Sequence, residues 1–445
     1  MSLLILCWGT RDSSARPPNI LLLVADDLGY GELSCQGNPQ IPTPHIDSLA
    51  NNGVRFTSGY VTAPVCSPSR AGFLTGRFQS RFGHELNAIG KQNLDPEIGL
   101  PLTERTLADH LKAAGYATGL VGKWHLGATG KFQPQRRGFD EFFGFLHEGH
   151  HYVPPPYRGV YSRYRTTEPP YDADNPLLNG GHEITETNYL TDAFTREAVA
   201  FIGQHRAQPW FLYVPYNAVH SPMQAKLADV ERFAGITNAH RAIFAAMLHA
   251  LDESVGAILR QLRERDLERD TLVFFLSDNG GPTAELTSGN LPLNGGKGSL
   301  LEGGIRIPFL AQWKGRIPAG KVYAPAVSSL DIVPTALAAA GLDAAGKNIE
   351  GADLLPFLTG TKPGVPHEAL FWRMGEQRAA RVGRWKFLQR GAGAPRLFDL
   401  DADISESHDL ATARPDVLKT LQRAHAGWDS KNVPPRWGAA STKRP

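Results

Sequence analysis

Four short stretches of the chain are continuously apolar and then stop abruptly at charged or amide side chains. Asn19 to Ala25 (N-I-L-L-L-V-A) runs into Asp26-Asp27, and Tyr116 to Val121 into Gly122-Lys123-Trp124-His125. Trp210 to Val214 leads to Asn217 and His220, and Thr271 to Leu276 leads to Ser277-Asp278-Asn279. Short apolar runs without alternation are the pattern of strands buried on both faces, as in a parallel sheet. Helical spacing appears between them, at His45 to Asn51, Leu102 to Gly115, Asp192 to Gln204 and Arg241 to Arg265. In the last of these, Ile243, Met247, Leu251, Val255, Ile258 and Leu262 mark one buried face. Ile305 to Trp313 reads as a further strand. The alternation predicts an α/β fold with a large, mainly parallel but mixed sheet sandwiched by helices. Ligands bind beyond the carboxyl ends of such strands. Neutral loops would scatter ionisable residues over both edges, so four polar strand ends predict one shared site.

From about Thr361 the pattern changes. Trp385-Lys386-Phe387-Leu388 and Arg396-Leu397-Phe398-Asp399-Leu400 read as short antiparallel strands joined by Gly391 to Pro395, followed by a helix from Arg414 to Trp428. The expected division is an α/β domain over 16–360, a smaller C-terminal antiparallel-sheet subdomain over 361–433, and a flexible tail over 434–445. Residues 1–15 read as a degenerate secretory signal: Leu3 to Trp8 is apolar and Ser13-Ser14-Ala15 suits cleavage, but the positive n-region is missing. Export to a periplasm or the medium is the expectation, with a cytoplasmic tail as the alternative.

Composition alters this little. A chain of 445 residues has room for one large domain and a small one. With 46 basic and 44 acidic residues the net charge is +2, which makes no general case for nucleic acid or an anionic membrane. No continuous apolar run approaches the roughly 18 residues that span a bilayer.

Adjacent carboxylates at the end of a buried strand are costly unless exposed or neutralised by a cation. Asp26, Asp27, Asp278 and Asn279 form an all-oxygen set suited to a hard cation, Ca²⁺ or Mg²⁺ rather than Zn²⁺. Either pair alone is common in solvated turns; their joint position behind buried strands singles them out. Lys123, His125, His220 and Lys297 add cations and proton carriers, a cluster that suits a tetrahedral oxyanion. Val65 to Arg77 (V-C-S-P-S-R-A-G-F-L-T-G-R) reads as a turn opening a short helix, with Ser67 as its cap and Pro68 in the first position. Cys66 then sits just outside a helix N-terminus that favours anions, with Arg70 and Arg77 nearby. Taken alone, Cys66 would be read as a buried structural thiol.

The motifs A-D-D-L-G-Y-G (25–31), P-V-C-S-P-S-R-A-G-F-L-T-G-R (64–77), G-K-W-H-L-G (122–127), H-S-P (220–222), S-D-N-G (277–280) and G-G-K-G-S-L-L-E-G-G-I-R-I-P (295–308) are spread along most of the chain. Together with L-F-D-L (397–400), they resemble the type I formylglycine-dependent sulfatases of the alkaline-phosphatase-like superfamily. The departures are minor: Glu32 and Ser34 stand where the family often has Asp and Gly. The resemblance implies a sulfuric ester hydrolase acting on an aryl sulfate or a sulfated carbohydrate. It implies that a formylglycine-generating enzyme converts Cys66 to formylglycine, whose hydrate attacks sulfur. It further implies that Asp26, Asp27, Asp278, Asn279 and the modified Cys66 bind the metal, usually Ca²⁺. Arg70 and His125 would hold and tune the hydrate. Lys123, His220 and Lys297 would contact the sulfate and the leaving oxygen, one of them as general acid. If Cys7 is removed with the leader and Cys66 is converted, Cys35 is left alone and no disulfide forms.

The aromatic, basic segment His147 to Asn188 is expected to form a loop over the site mouth that shapes leaving-group specificity. Its His147, His150 and His151 could suggest a second metal, a weaker reading than the loop. Two other functions stay open: a phosphodiester or phosphonate monoester hydrolase on the same fold, and a non-catalytic sulfated-glycan-binding protein if Cys66 stays unmodified.

Overall fold

The computed structural model describes residues 16–438. The leader reading, with Cys7, and the end of the tail lie outside the described residues.

Among these, a ten-stranded mixed sheet has the order Lys321–Tyr323, Val54–Phe56, Phe309–Gln312, Thr271–Ser277, Asn19–Ala25, Trp210–Pro215, Ala117–Lys123, Glu141–Phe145, Leu177–Asn179, His182–Ile184. The strands from Thr271–Ser277 to Glu141–Phe145 are all parallel, and most of the flanking pairs are antiparallel. The four apolar runs are therefore neighbours, and their carboxyl ends share one edge. Every residue in them is buried, because helices cover both faces. Leu21 and Leu23 face the core shared with Ala239–Glu264 and Leu190–Gln204. Ile20, Leu22 and Val24 face Phe73, Leu107 and Val333 on the other side.

Ala239–Glu264 is by length and composition apolar enough to cross a membrane, although polar residues interrupt its run. In this fold 83% of its apolar window is buried, so it serves as a core helix. The helix expected from Leu102 begins only at Leu107, because Thr106 and Asp109 form a capping box there. The strand expected over Ile305 to Trp313 is split into a short helix, Glu302–Ile305, and the strand Phe309–Gln312. Pro308 between them has no N–H to give a ladder.

The C-terminal part carries a four-stranded antiparallel sheet, Ala369–Met374, Gln377–Val382, Trp385–Arg390 and Arg396–Asp399, with the helix Pro415–Asp429 packed on it. A buried ion cluster ties it to the main domain. Lys386 Nζ lies 2.8 Å from Glu302 and 2.9 Å from Glu406, and all three side chains are fully buried. The expectation of a flexible tail is wrong for residues 434–438. The Arg436 N–H donates to Gly83 O, and Trp437 packs with Ala88 and Ile98, edge-on to His84.

Candidate active site

The four strand ends share one edge of the sheet. Asp26, Asp27, Cys66 and Asp278 are buried, and each presents a ligand atom within 4.8 Å of the others. The left-handed backbone of Asp27 (φ 64°) and His125 (φ 55°) is rare for non-glycine residues and clusters where structure imposes it. Asn279 lies alongside, fully buried. Its Nδ2 donates to Asp27 Oδ1 at 2.7 Å, while its Oδ1 has no hydrogen-bond partner. Buried amide oxygens are rarely left unpaired. Burial, then the charge of Asp26, pushes the Asp278 carboxyl up to about 6. An orphaned oxygen beside converging carboxylates, one of them under-compensated, fits a hard divalent cation.

Cationic side chains close the other side. Arg70 donates to Asp278 Oδ2 from Nε at 3.0 Å and from Nη2 at 2.7 Å, and Nη2 is 3.6 Å from Asp26. Lys123 Nζ is 2.5 Å from Asp26 Oδ2, and Lys297 Nζ is 2.8 Å from Asp27. Burial would raise the Asp27 carboxyl, but the charge of Lys297 and the hydrogen bonds from Lys297 and Asn279 outweigh it and bring it to about 2. Arg77 lies apart from this group in a pair with Glu104 at 3.0 Å.

Cys66 is not outside the helix but its first residue, in Cys66–Thr75, with Val65 as an N-cap that makes no side-chain bond. Ser67 is not the cap either. Its hydroxyl donates to His125 O and accepts from His84 Nε2, both at 2.6 Å, which locks the helix start to the strand end carrying His125. Cys66 Sγ lies 3.5 Å from Asp26 Oδ1. Burial pushes its pKa up despite Lys123 and Lys297, so as a thiol it is neutral and a poor nucleophile.

Both histidines are held neutral. His125 Nε2 donates to Ala88 O at 2.9 Å, leaving Nδ1 without a partner; burial and then Lys123 keep its pKa well below the usual histidine value. His220 Nδ1 donates to Ser221 O at 2.6 Å, and Nε2 is 3.7 Å from Asp27 Oδ2. Burial, then Lys297, lowers its pKa to about 3.

The segment 147–188 does approach the site, through contacts that sequence reasoning missed. The Tyr171 ring stands edge-on to His220 at 5.8 Å, and its hydroxyl is 2.9 Å from Ser221 Oγ. Val160–Arg163 pairs with Met223–Lys226, just after His220. The strand-forming aromatic residues of Y-S-R-Y-R (161–165) were the available signal. His150 and His151 both face Asp172, at 3.3 and 3.0 Å, and fasten the loop. Among the described residues, the groups able to hold a metal lie at the strand ends and do not include these histidines.

A carboxylate cage set against a cationic pocket, on the carboxyl edge of a mixed sheet, defines a hydrolase of the alkaline-phosphatase-like fold. Residues 18–342 match the family model described as Sulfatase, and the chain belongs to that family of sulfuric ester hydrolases. It is 35% identical over 471 residues to arylsulfatase A of Homo sapiens, covering 94% of this chain and 89% of that protein. It is 37% identical over 390 residues to N-acetylgalactosamine-6-sulfatase of Sus scrofa, covering 83% and 71%. The crystal structure of Ps i-CgsB superimposes with a TM-score of 0.88 at 36% identity, covering 96% of both chains. The fold also matches the phosphonate monoester hydrolase of Agrobacterium radiobacter, at a TM-score of 0.67 and 21% identity over 94% and 96% of the chains.

Proposed function

We propose that this sulfatase desulfates a sulfated carbohydrate, using a formylglycine made from Cys66 by a formylglycine-generating enzyme and a divalent cation, Ca²⁺, with Mg²⁺ as the alternative. The observation that carries this reading is the position of Cys66 inside the group formed by Asp26, Asp27 and Asp278, where burial keeps its thiol neutral. The cation would be held by Asp26, Asp27, Asp278, Asn279 and the modified Cys66; when bound it neutralises sulfate charge and lowers the pKa of a coordinated hydroxyl.

This chain's own residues then have distinct tasks. Arg70 fixes the Asp278 carboxylate and stands near Asp26. Lys123 and Lys297 hold positive charge where sulfate oxygens enter, in a buried site where each contact is strengthened. His125, donating from Nε2, keeps Nδ1 as a proton acceptor beside the helix start. His220, donating from Nδ1, keeps Nε2 as the atom that carries a proton to the leaving oxygen, and the negative charge of a bound sulfate ester favours its protonated form.

A carbohydrate is favoured by two relatives. One is named N-acetylgalactosamine-6-sulfatase, and Ps i-CgsB has a crystal structure in complex with k-i-k-neocarrahexaose, matching at TM-score 0.87. The test is sulfate release from a panel of sulfated galactose and N-acetylgalactosamine oligosaccharides, with p-nitrophenyl sulfate and a p-nitrophenyl phosphodiester alongside. Higher kcat/KM on the sulfated sugars supports the reading, whereas preference for the phosphodiester overturns it.

A further inference from the structure

An open groove of about 450 Å³ adjoins His220 and is lined by Arg163, Tyr164, Arg165, Ser221, His240 and Glu285, among others. Its two arginines are in opposite states. Arg165 is fully engaged: Nη1 is 2.7 Å from Glu285, and Nη2 reaches Glu168 at 3.3 Å and the Tyr171 hydroxyl at 2.8 Å. Ser221 Oγ donates to the same Glu285 carboxylate at 3.2 Å, so this wall is tied directly to the residue after His220. Arg163 has no carboxylate or hydrogen-bond partner among the described residues, although Met223, opposite it in the ribbon, fixes its backbone. Its charge is felt inside the groove, where burial and then Arg163 hold His240 below the usual histidine value. Next to it, Tyr164 is 43% exposed yet anchored, its ring set against Tyr157 and His151 and its hydroxyl accepting from Gln224 Nε2 at 3.0 Å.

An uncompensated guanidinium beside a fixed, exposed aromatic face is suited to a sugar that itself bears an anion. The ring offers a stacking surface and the guanidinium a bidentate partner for sulfate oxygens. We propose that this groove is a specificity subsite for the sugar next to the one being desulfated, and that Arg163 clasps a second, non-scissile sulfate on it. The preferred substrate is then a multiply sulfated oligosaccharide. This rests on the sulfated-carbohydrate reading and adds to it the residue that chooses among such sugars. A small aryl sulfate would leave the groove empty.

The test uses metal-loaded enzyme carrying formylglycine and matched galactose- and N-acetylgalactosamine-containing disaccharides. One member of each pair bears only the scissile ester; the other adds a sulfate on the neighbouring sugar. The wild type is expected to favour the disulfated member. Losing a charge-assisted contact should cut the disulfated-over-monosulfated ratio of kcat/KM by about 10- to 100-fold in Arg163→Ala. The loss should appear in KM rather than kcat, with an unchanged melting temperature and partial rescue by Arg163→Lys. A wild type without that preference, or an Arg163→Ala ratio within about twofold of wild type, overturns the subsite while leaving the sulfatase reading intact. Failure to release sulfate from any member of the set, with p-nitrophenyl sulfate still cleaved, overturns the carbohydrate reading and the subsite together.

Discussion

Arg70 and Asp278 form an ion pair from which water is wholly excluded, with Nη2 2.7 Å from Oδ2 and both side chains at 0% exposure. The helix Cys66–Thr75 is buried along its whole length, so this pair also fixes how the helix meets the strand end. Removing one partner of such a pair strands a buried charge, which costs about 3–5 kcal/mol. Arg70→Ala should lose stability of that order in urea unfolding, while Arg70→Lys should recover part of it. A loss below about 1 kcal/mol, the range of exposed pairs, would show that the pair holds little of the site together.

The orphaned Oδ1 of Asn279 predicts metal-linked stability. Ca²⁺ at 100 times its Kd should stabilise the fold by about 2.7 kcal/mol. Asn279→Ala should weaken Ca²⁺ at least as much as the roughly 10- to 100-fold typical of losing an outer-shell partner. Urea unfolding with and without Ca²⁺ measures the first and calorimetric titration the second, and identical Ca²⁺ affinity in wild type and variant would remove Asn279 from the ligand set.

His220 Nε2 predicts a dependence on the leaving group. General acid help contributes about 10²- to 10⁴-fold when the departing alcohol is poor. His220→Ala should lose that much on a sugar sulfate and clearly less on p-nitrophenyl sulfate, whose leaving group needs little protonation. Equal losses on the two substrates would assign His220 to sulfate binding instead.

Lys386 predicts coupling between the two parts of the chain. Glu302 keeps Arg306 at 3.2 Å, but Lys386→Ala strands the buried Glu406 carboxylate beside it, at a cost of about 3–5 kcal/mol. Glu302 begins the short helix just beyond Lys297, so limited proteolysis should detect loosening of 294–305 in this variant. A cleavage pattern matching the wild type would confine the cluster's role to the C-terminal sheet.

The strand ends at Asp26, Lys123, His220 and Asp278 were legible because a strand buried on both faces has no alternation and polar residues beyond it cannot belong to the core. What depended on distant partners was not. Ser67 has the right chemistry for a cap, yet it serves His84 and His125, which only the tertiary fold brings near. Strand Gln377–Val382 is written in Ala and Arg, weak strand formers that pair because their neighbours do. Trp437 looked like part of a polar tail, and its burial against Ala88 and Ile98 is a long-range contact. The grip of 147–188 on His220 is of the same kind, running from Tyr171 to a residue some fifty positions away.

The chemistry at Cys66 decides between a sulfatase with a modified nucleophile and a protein that only binds sulfated sugars. The direct measurement is the mass of the peptide containing Cys66, taken on preparations whose rate of sulfate release is determined in parallel. Sulfate release should rise in proportion to the fraction carrying an aldehyde in place of the thiol, and Cys66→Ala should fold and release none. Full activity in material whose Cys66 is entirely thiol would contradict the account.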